Sequence, residues 1–257
     1  MAFGQLRLGP VRFSNFRRIH QAIAARGHPL LLASVHPTAS IERRAQMLKR
    51  GIEGFLRRLE QPEERLIIFA HSMGGLDCRH MITHLGMDRH IAALITVCCP
   101  HRGSTYANWA IENVCDRFGA RRLVELLQLD INALDDLTVE ACEQFNRRTP
   151  DMPGVRYYSI SGARPRLLLQ PFYYHSWRII AEKEGDNDGL VSVRSAIWGE
   201  HLGTWPVDHL HAVNRRIVPE LIERTGDVTA RYLQVLERVQ RDLERSPSES
   251  AASARSG

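Results

Sequence analysis

No stretch of this sequence approaches the roughly 18 uninterrupted apolar residues that a membrane-spanning helix requires, so no transmembrane segment is expected. Lysine is nearly absent: of 34 basic residues only Lys49 and Lys183 are lysine, which leaves 32 arginines. The arginines stand in scattered pairs, such as Arg17-Arg18, Arg57-Arg58 and Arg147-Arg148, with acids between them. Without an aromatic-studded basic stripe, the formal charge of +5 does not suggest a nucleic-acid partner. Five cysteines form no CxxC pair and no Cys/His cluster with zinc-ligand spacing, so no metal is expected there and free thiols in a reducing compartment are. The stretch Met1 to Phe13 has neither the basic nor the apolar region of a secretory leader, which points to a cytoplasmic address. Apolar residues are plentiful, at 44% of 257, enough for one large α/β domain or two small ones and too many for a disordered chain.

The apolar pattern changes period along the chain. Phe16, Ile19, Ile23 and Ala24 predict a helix over 13–26, closed by Gly27. Pro29 to Val35 is an apolar run of strand length, and Ser40 to Leu59 repeats apolar residues every three or four positions behind an N-capping serine. Leu66 to Ala70 predicts a second buried strand, Leu76 to Leu85 a helix, and Ile91 to Cys98 a third strand. Such alternation predicts an α/β fold, a mostly parallel sheet wrapped by helices. From Ser104 to Asn146 the pattern is wholly helical and predicts an inserted cap over about 105–150. Strand character resumes at Val155 to Ile160, a loop-rich stretch covers 163–187, and a helix covers 228–245. One domain over 1–245 is therefore expected, with a disordered Ser/Ala-rich tail at 246–257.

Chemistry concentrates at Phe69-Ala70-His71-Ser72-Met73-Gly74-Gly75, where a strand runs into a turn of small residues with serine at its apex. That pattern is a nucleophile elbow: the sharp turn lifts the Ser72 hydroxyl off the sheet and aims the Met73 N–H at a developing oxyanion. An ordinary strand–turn–helix with a capping serine could share these letters, so the partners matter. A serine hydroxyl needs an imidazole to take its proton and a carboxylate to orient that imidazole. Asp188, in Asn187-Asp188-Gly189, and His209, in Asp208-His209-Leu210-His211, follow in the order Ser, acid, His.

With these pieces the sequence resembles the bacterial triacylglycerol lipases of the α/β-hydrolase superfamily. The likeness rests on AHSMGG at 70–75, PHRGS at 100–104, NDGLVSV at 187–193 and DHLHAVN at 208–214, and extends over most of residues 3 to 222. It implies an α/β-hydrolase fold, a Ser72–Asp188–His209 triad, Met73 as an oxyanion donor, and hydrolysis of acyl esters without a cofactor. It also implies that the loop of His101 lies beside the active site and shapes the acyl pocket; His71 and Trp109 are further substrate-binding candidates, with Trp109 and the cap leucines either ordinary core or the apolar underside of a lid.

Two departures stand out. The family opens with a strand ending in His-Gly that supplies the other oxyanion donor, whereas Met1-Ala2-Phe3-Gly4 resembles the loop just past it. The second concerns calcium, which several of these lipases hold through an acid and a glutamine after the histidine. Here those places carry His211 and Arg215, so no metal is expected, and Asp186 and Asp208 read as loop-solvating acids. The expected activity is a serine carboxylic-ester hydrolase acting on acyl esters or lipids. The alternatives are a catalytically impaired hydrolase-like binding protein, or an acyltransferase or thioesterase with the same triad. Acyl length, alcohol and oligomeric state are not legible.

Overall fold

A computed structural model describes residues 5–8, 11–14, 16, 18–36, 39–60, 65–113, 134–215 and 226–245. The residues expected to form the disordered tail, the middle of the cap and Met1 to Gly4 lie outside the described residues.

A hairpin of β1 (Gln5–Leu8) and β2 (Val11–Ser14) precedes a short helix α1 (Ile19–Ala24). The helix predicted from residue 13 starts later because Phe16 and Arg18 take left-handed backbone, at φ 67° and 66°. Helix α2 (Ile41–Leu59) follows Ser40 as expected and buries Ala45, Leu48, Ile52 and Leu56 on one side.

The central sheet joins β3 (Leu66–His71), β4 (Ile91–Val97), β5 (Arg156–Gly162) and β6 (Glu200–Trp205), side by side and all parallel. Between them run α3 (Gly74–His84), α4 (Thr105–Glu112), α5 (Val139–Arg148), α6 (Tyr174–Glu184) and α7 (Val193–Ala196), and α8 (Thr229–Glu244) closes the chain. This is an α/β-hydrolase arrangement. Side chains alternate across the sheet with period two. Phe69, Ile95 and Ile160 join a core under α1 and α8, while Ile68, Ala70 and Leu94 join another under α2 and α3. Every residue of β4 is buried, as a central parallel strand requires.

Three expectations need correction. Pro29 to Val35 is not a strand: Leu30 and Leu32 pack toward one core and Leu31, Ala33 and Val35 toward the other, but the run joins no sheet ladder. Within the expected loop over 163–187 lies helix α6. Nor does any apolar run announce β6, which is mostly half-buried and mixes polar with apolar residues.

Candidate active site

Because β3 to β6 are parallel, their C-terminal ends share one edge of the sheet, where an open α/β sheet collects functional loops. Ser72 follows β3 at that edge with φ 55°, a left-handed conformation that only a sharp turn imposes on a non-glycine residue. Its N–H donates to the Val97 carbonyl at 3.0 Å, and the Gly75 N–H closes the turn onto the Ser72 carbonyl at 3.0 Å. Helix α3 begins two residues later, so the Met73 N–H sits at a helix N-terminus and makes no hydrogen bond among the described residues.

The steric demand of the turn falls on Gly75 rather than on Gly74. A Cβ at Gly74 would meet nothing within 4 Å, whereas one at Gly75 would lie 2.5 Å from Cys99 Sγ and 2.9 Å from Thr96 Cγ2. Gly75 is thus what lets α3 lie close on β4.

Asp188 and His209 form a buried pair, with His209 Nδ1 donating to Asp188 Oδ2 at 2.7 Å. The other carboxylate oxygen accepts from the Leu190 and Val191 N–H groups at 2.9 and 2.8 Å, and the His209 N–H donates to the Asp188 carbonyl at 2.9 Å. The Asp188 N–H in turn donates to the Val191 carbonyl at 3.2 Å, so both the carboxylate and the backbone of Asp188 are fixed. A proton held on Nδ1 leaves Nε2 as the free base. Behind the carboxylate, the Cys98 thiol is pushed up by burial, then by the Asp188 charge and by donating to it, so it stays protonated. Cys98, Asp188 and His209 also offer ligand atoms within 4.8 Å of one another. The bonds above already use them.

His71 packs against His209. Its Nε2–H donates to the His209 carbonyl at 2.9 Å, and the two rings stand 4.5 Å apart. Burial, then the nearby His209, holds the His71 imidazole well below its usual range and therefore neutral. The residue beside Ser72 thus braces the His209 backbone. Among the described residues the Ser72 hydroxyl itself makes no hydrogen bond, so the chain of contacts expected from Ser72 to His209 is joined only from His209 to Asp188.

His101, expected to shape a substrate pocket, is fully buried. Its Nε2–H donates to Thr96 Oγ1 at 3.0 Å, its Nδ1 faces Arg79 Nη1 at 3.4 Å, and its ring stacks on Trp198. It is a packing residue whose imidazole is held neutral by burial, Arg79 and Arg102. Trp109 is half-buried on α4 between Tyr106 and His175.

Asp208 is likewise no loop-solvating residue. It is 2% exposed, accepting from Gln170 Nε2 at 3.2 Å and the His211 N–H at 2.9 Å, with Arg164 Nη1 at 3.8 Å from its other oxygen. Arg164 also donates to His211 Nδ1 at 3.1 Å, while the backbone N–H of Arg164 donates to the Asn187 carbonyl at 3.1 Å. One arginine thus ties the loop of Asp188 to the loop of His209. Sequence reasoning left Arg164 among the scattered basic residues; its only local signal is its place just past an apolar strand. Asp186 is exposed, as expected.

Residues 33–166 match the family profile described as a PGAP1-like alpha/beta domain. Triacylglycerol lipase 2 of Saccharomyces cerevisiae is 32% identical over 206 residues, covering 76% of this chain, and the chain spans 61% of that relative's length. Among solved structures, the metagenomic carboxyl esterase MGS0156 superposes with a TM-score of 0.71 at 20% identity, covering 88% of this chain and 70% of that one. Mature Bacillus licheniformis lipase BlEst2 gives 0.65 at 20%, covering 76% and 78%. Staphylococcus hyicus lipase gives 0.64 at 15%, covering 88% and 89%. The structural likenesses establish the α/β-hydrolase fold.

Proposed function

The chain belongs to the PGAP1-like alpha/beta domain family, and on that premise we propose that it is a serine carboxylic-ester hydrolase acting on acyl esters. The observation that carries the proposal is the buried Asp188–His209 pair, bonded at 2.7 Å and standing against the residue next to a left-handed Ser72. In this reading Ser72 Oγ attacks the ester carbonyl while His209 Nε2 takes its proton, and the Met73 N–H receives the oxyanion. His209 then returns the proton to the departing alkoxide, leaving an acyl-enzyme. Water, deprotonated by the same nitrogen, releases the acid and restores the serine. Asp188 holds the imidazole tautomer throughout. The yeast relative's name, a triacylglycerol lipase, supports acyl esters as the substrate class.

The test is hydrolysis of a p-nitrophenyl ester together with labelling by a fluorophosphonate. Ser72→Ala should lose labelling and drop turnover on the order of a millionfold, to background. Equal turnover in both proteins would sink the proposal. The unbonded Ser72 hydroxyl favours a second reading, a hydrolase-like binding protein, and absence of labelling in the wild type would select it.

A further inference from the structure

Between Asp151 and Glu182 the chain carries no acidic residue, and of the four arginines in that interval Arg156 opens β5, Arg164 is buried against Asp208, Arg178 pairs with Glu182, and Arg166 meets no acidic side chain among the described residues. In its middle a short turn, Arg166–Leu168, leaves the C-terminal edge of the sheet just past β5. Leu167 is 84% exposed and Leu168 36%, the exposed large hydrophobic side chains among the described residues. Covering two adjacent leucines with an apolar partner is favourable in proportion to the area removed from water.

The turn is rigidly mounted. Leu169, next in sequence, is fully buried, and the Leu168 N–H donates to the Pro165 carbonyl at 2.9 Å. Trp177 Nε1 donates to the Arg164 carbonyl at 3.0 Å, and Gln170 reaches Asp208 beside His209. Arg166 lies over the Tyr174 ring at 5.2 Å. Two leucines therefore project, beside the Arg166 guanidinium and the Tyr174 ring, from a lip on the sheet edge that also carries Ser72 and His209.

We propose that this lip is a docking surface for an anionic lipid surface, with Leu167 and Leu168 entering the acyl layer and Arg166 facing the headgroups. Leucine for the acyl boundary, arginine for anionic headgroups, and Tyr174 and Trp177 behind them are the chemistry of an interfacial contact. The proposal deepens the ester-hydrolase reading by setting the acyl substrate in a lipid assembly, and it rests on that reading for its purpose only.

The experiment is co-sedimentation with vesicles of phosphatidylcholine, with and without phosphatidylserine, using the wild type, Leu167→Ser, the double variant L167S/L168S, and Ser72→Ala. The wild type should bind the phosphatidylserine vesicles more tightly than the neutral ones, and salt should weaken that binding. L167S/L168S should bind at least about tenfold more weakly, and Leu167→Ser should shift the same way, with both keeping the wild-type melting temperature and turnover of a soluble short-chain ester. Ser72→Ala should bind as the wild type does, so docking is read independently of whether the chain hydrolyses esters. No vesicle binding by the wild type, or equal binding by the leucine variants, would overturn the proposal. So would a wild-type dimer in sedimentation velocity that the leucine variants dissolve, since a second copy would then be what covers the lip.

Discussion

Replacing Arg164 with methionine tests whether one buried guanidinium holds the two loops of the site in register. The substitution keeps the length of the side chain and removes its charge, leaving Asp208, 2% exposed, with the Gln170 amide and the His211 N–H as its donors among the described residues. At the observed 3.8 Å, and with the effective dielectric of about 20 that suits such pairs, the lost attraction is about 4 kcal/mol. That agrees with the roughly 3–5 kcal/mol typical of breaking one side of a buried pair. For a domain of this size it corresponds to a fall in melting temperature of about 10 °C. Burial already raises the Asp208 carboxyl, and without Arg164 it would rise further. Protonation then relieves the variant, so its deficit should narrow as pH falls. Thermal melting across a pH series measures both effects, and R164M/D208N should recover part of the loss because no buried charge remains. A single variant that melts within a degree or two of the wild type, with the same pH dependence, would refute the reasoning.

Gly162→Ala would bring a Cβ within 3.0 Å of both Asp188 Cβ and Cys98 Sγ, so ester turnover should fall by tenfold or more, with a smaller loss of stability; equal turnover would show the Asp188 pocket to be slack. His101 is held neutral well below pH 6.5, so between its unfolded and folded pKa values the unfolded chain binds a proton that the folded one refuses. Stability should therefore drop by about 1.4 kcal/mol per pH unit as pH falls below about 6.5, with His71 steepening the slope, and urea melts in that range should lose part of it in His101→Gln. Calcium should leave the melting temperature unchanged, because the Arg164 guanidinium already faces Asp208; a calcium-dependent rise that EGTA reverses would contradict this.

Much of the scaffold was written locally. The apolar runs at 66–70 and 91–98 read as buried strands because a parallel strand covered on both faces must be apolar at nearly every position. Helix α2 was legible through its period and the serine at its N-cap position, although that side chain makes no cap hydrogen bond, and α8 through its stripe of Tyr232, Leu236 and Val239. The candidate site was legible too, as a turn of small residues and the order serine, aspartate, histidine, since each of those signals spans only a few residues. Other features were not local. β6 lies at the end of the described sheet, where a half-buried strand needs no continuous apolar run, and α6 hides behind Pro165 and Pro171. His101 looked like a site residue until packing surrounded it with Thr96, Arg79 and Trp198. Arg164 and His211 are 47 positions apart, and only the return of the chain past the ends of β5 and β6 sets them in contact. The sequence by itself determined the periodic elements and the chemical order of the site. Tertiary structure decided which polar residues are buried together, because burial turns an ordinary surface charge into one that must find a partner.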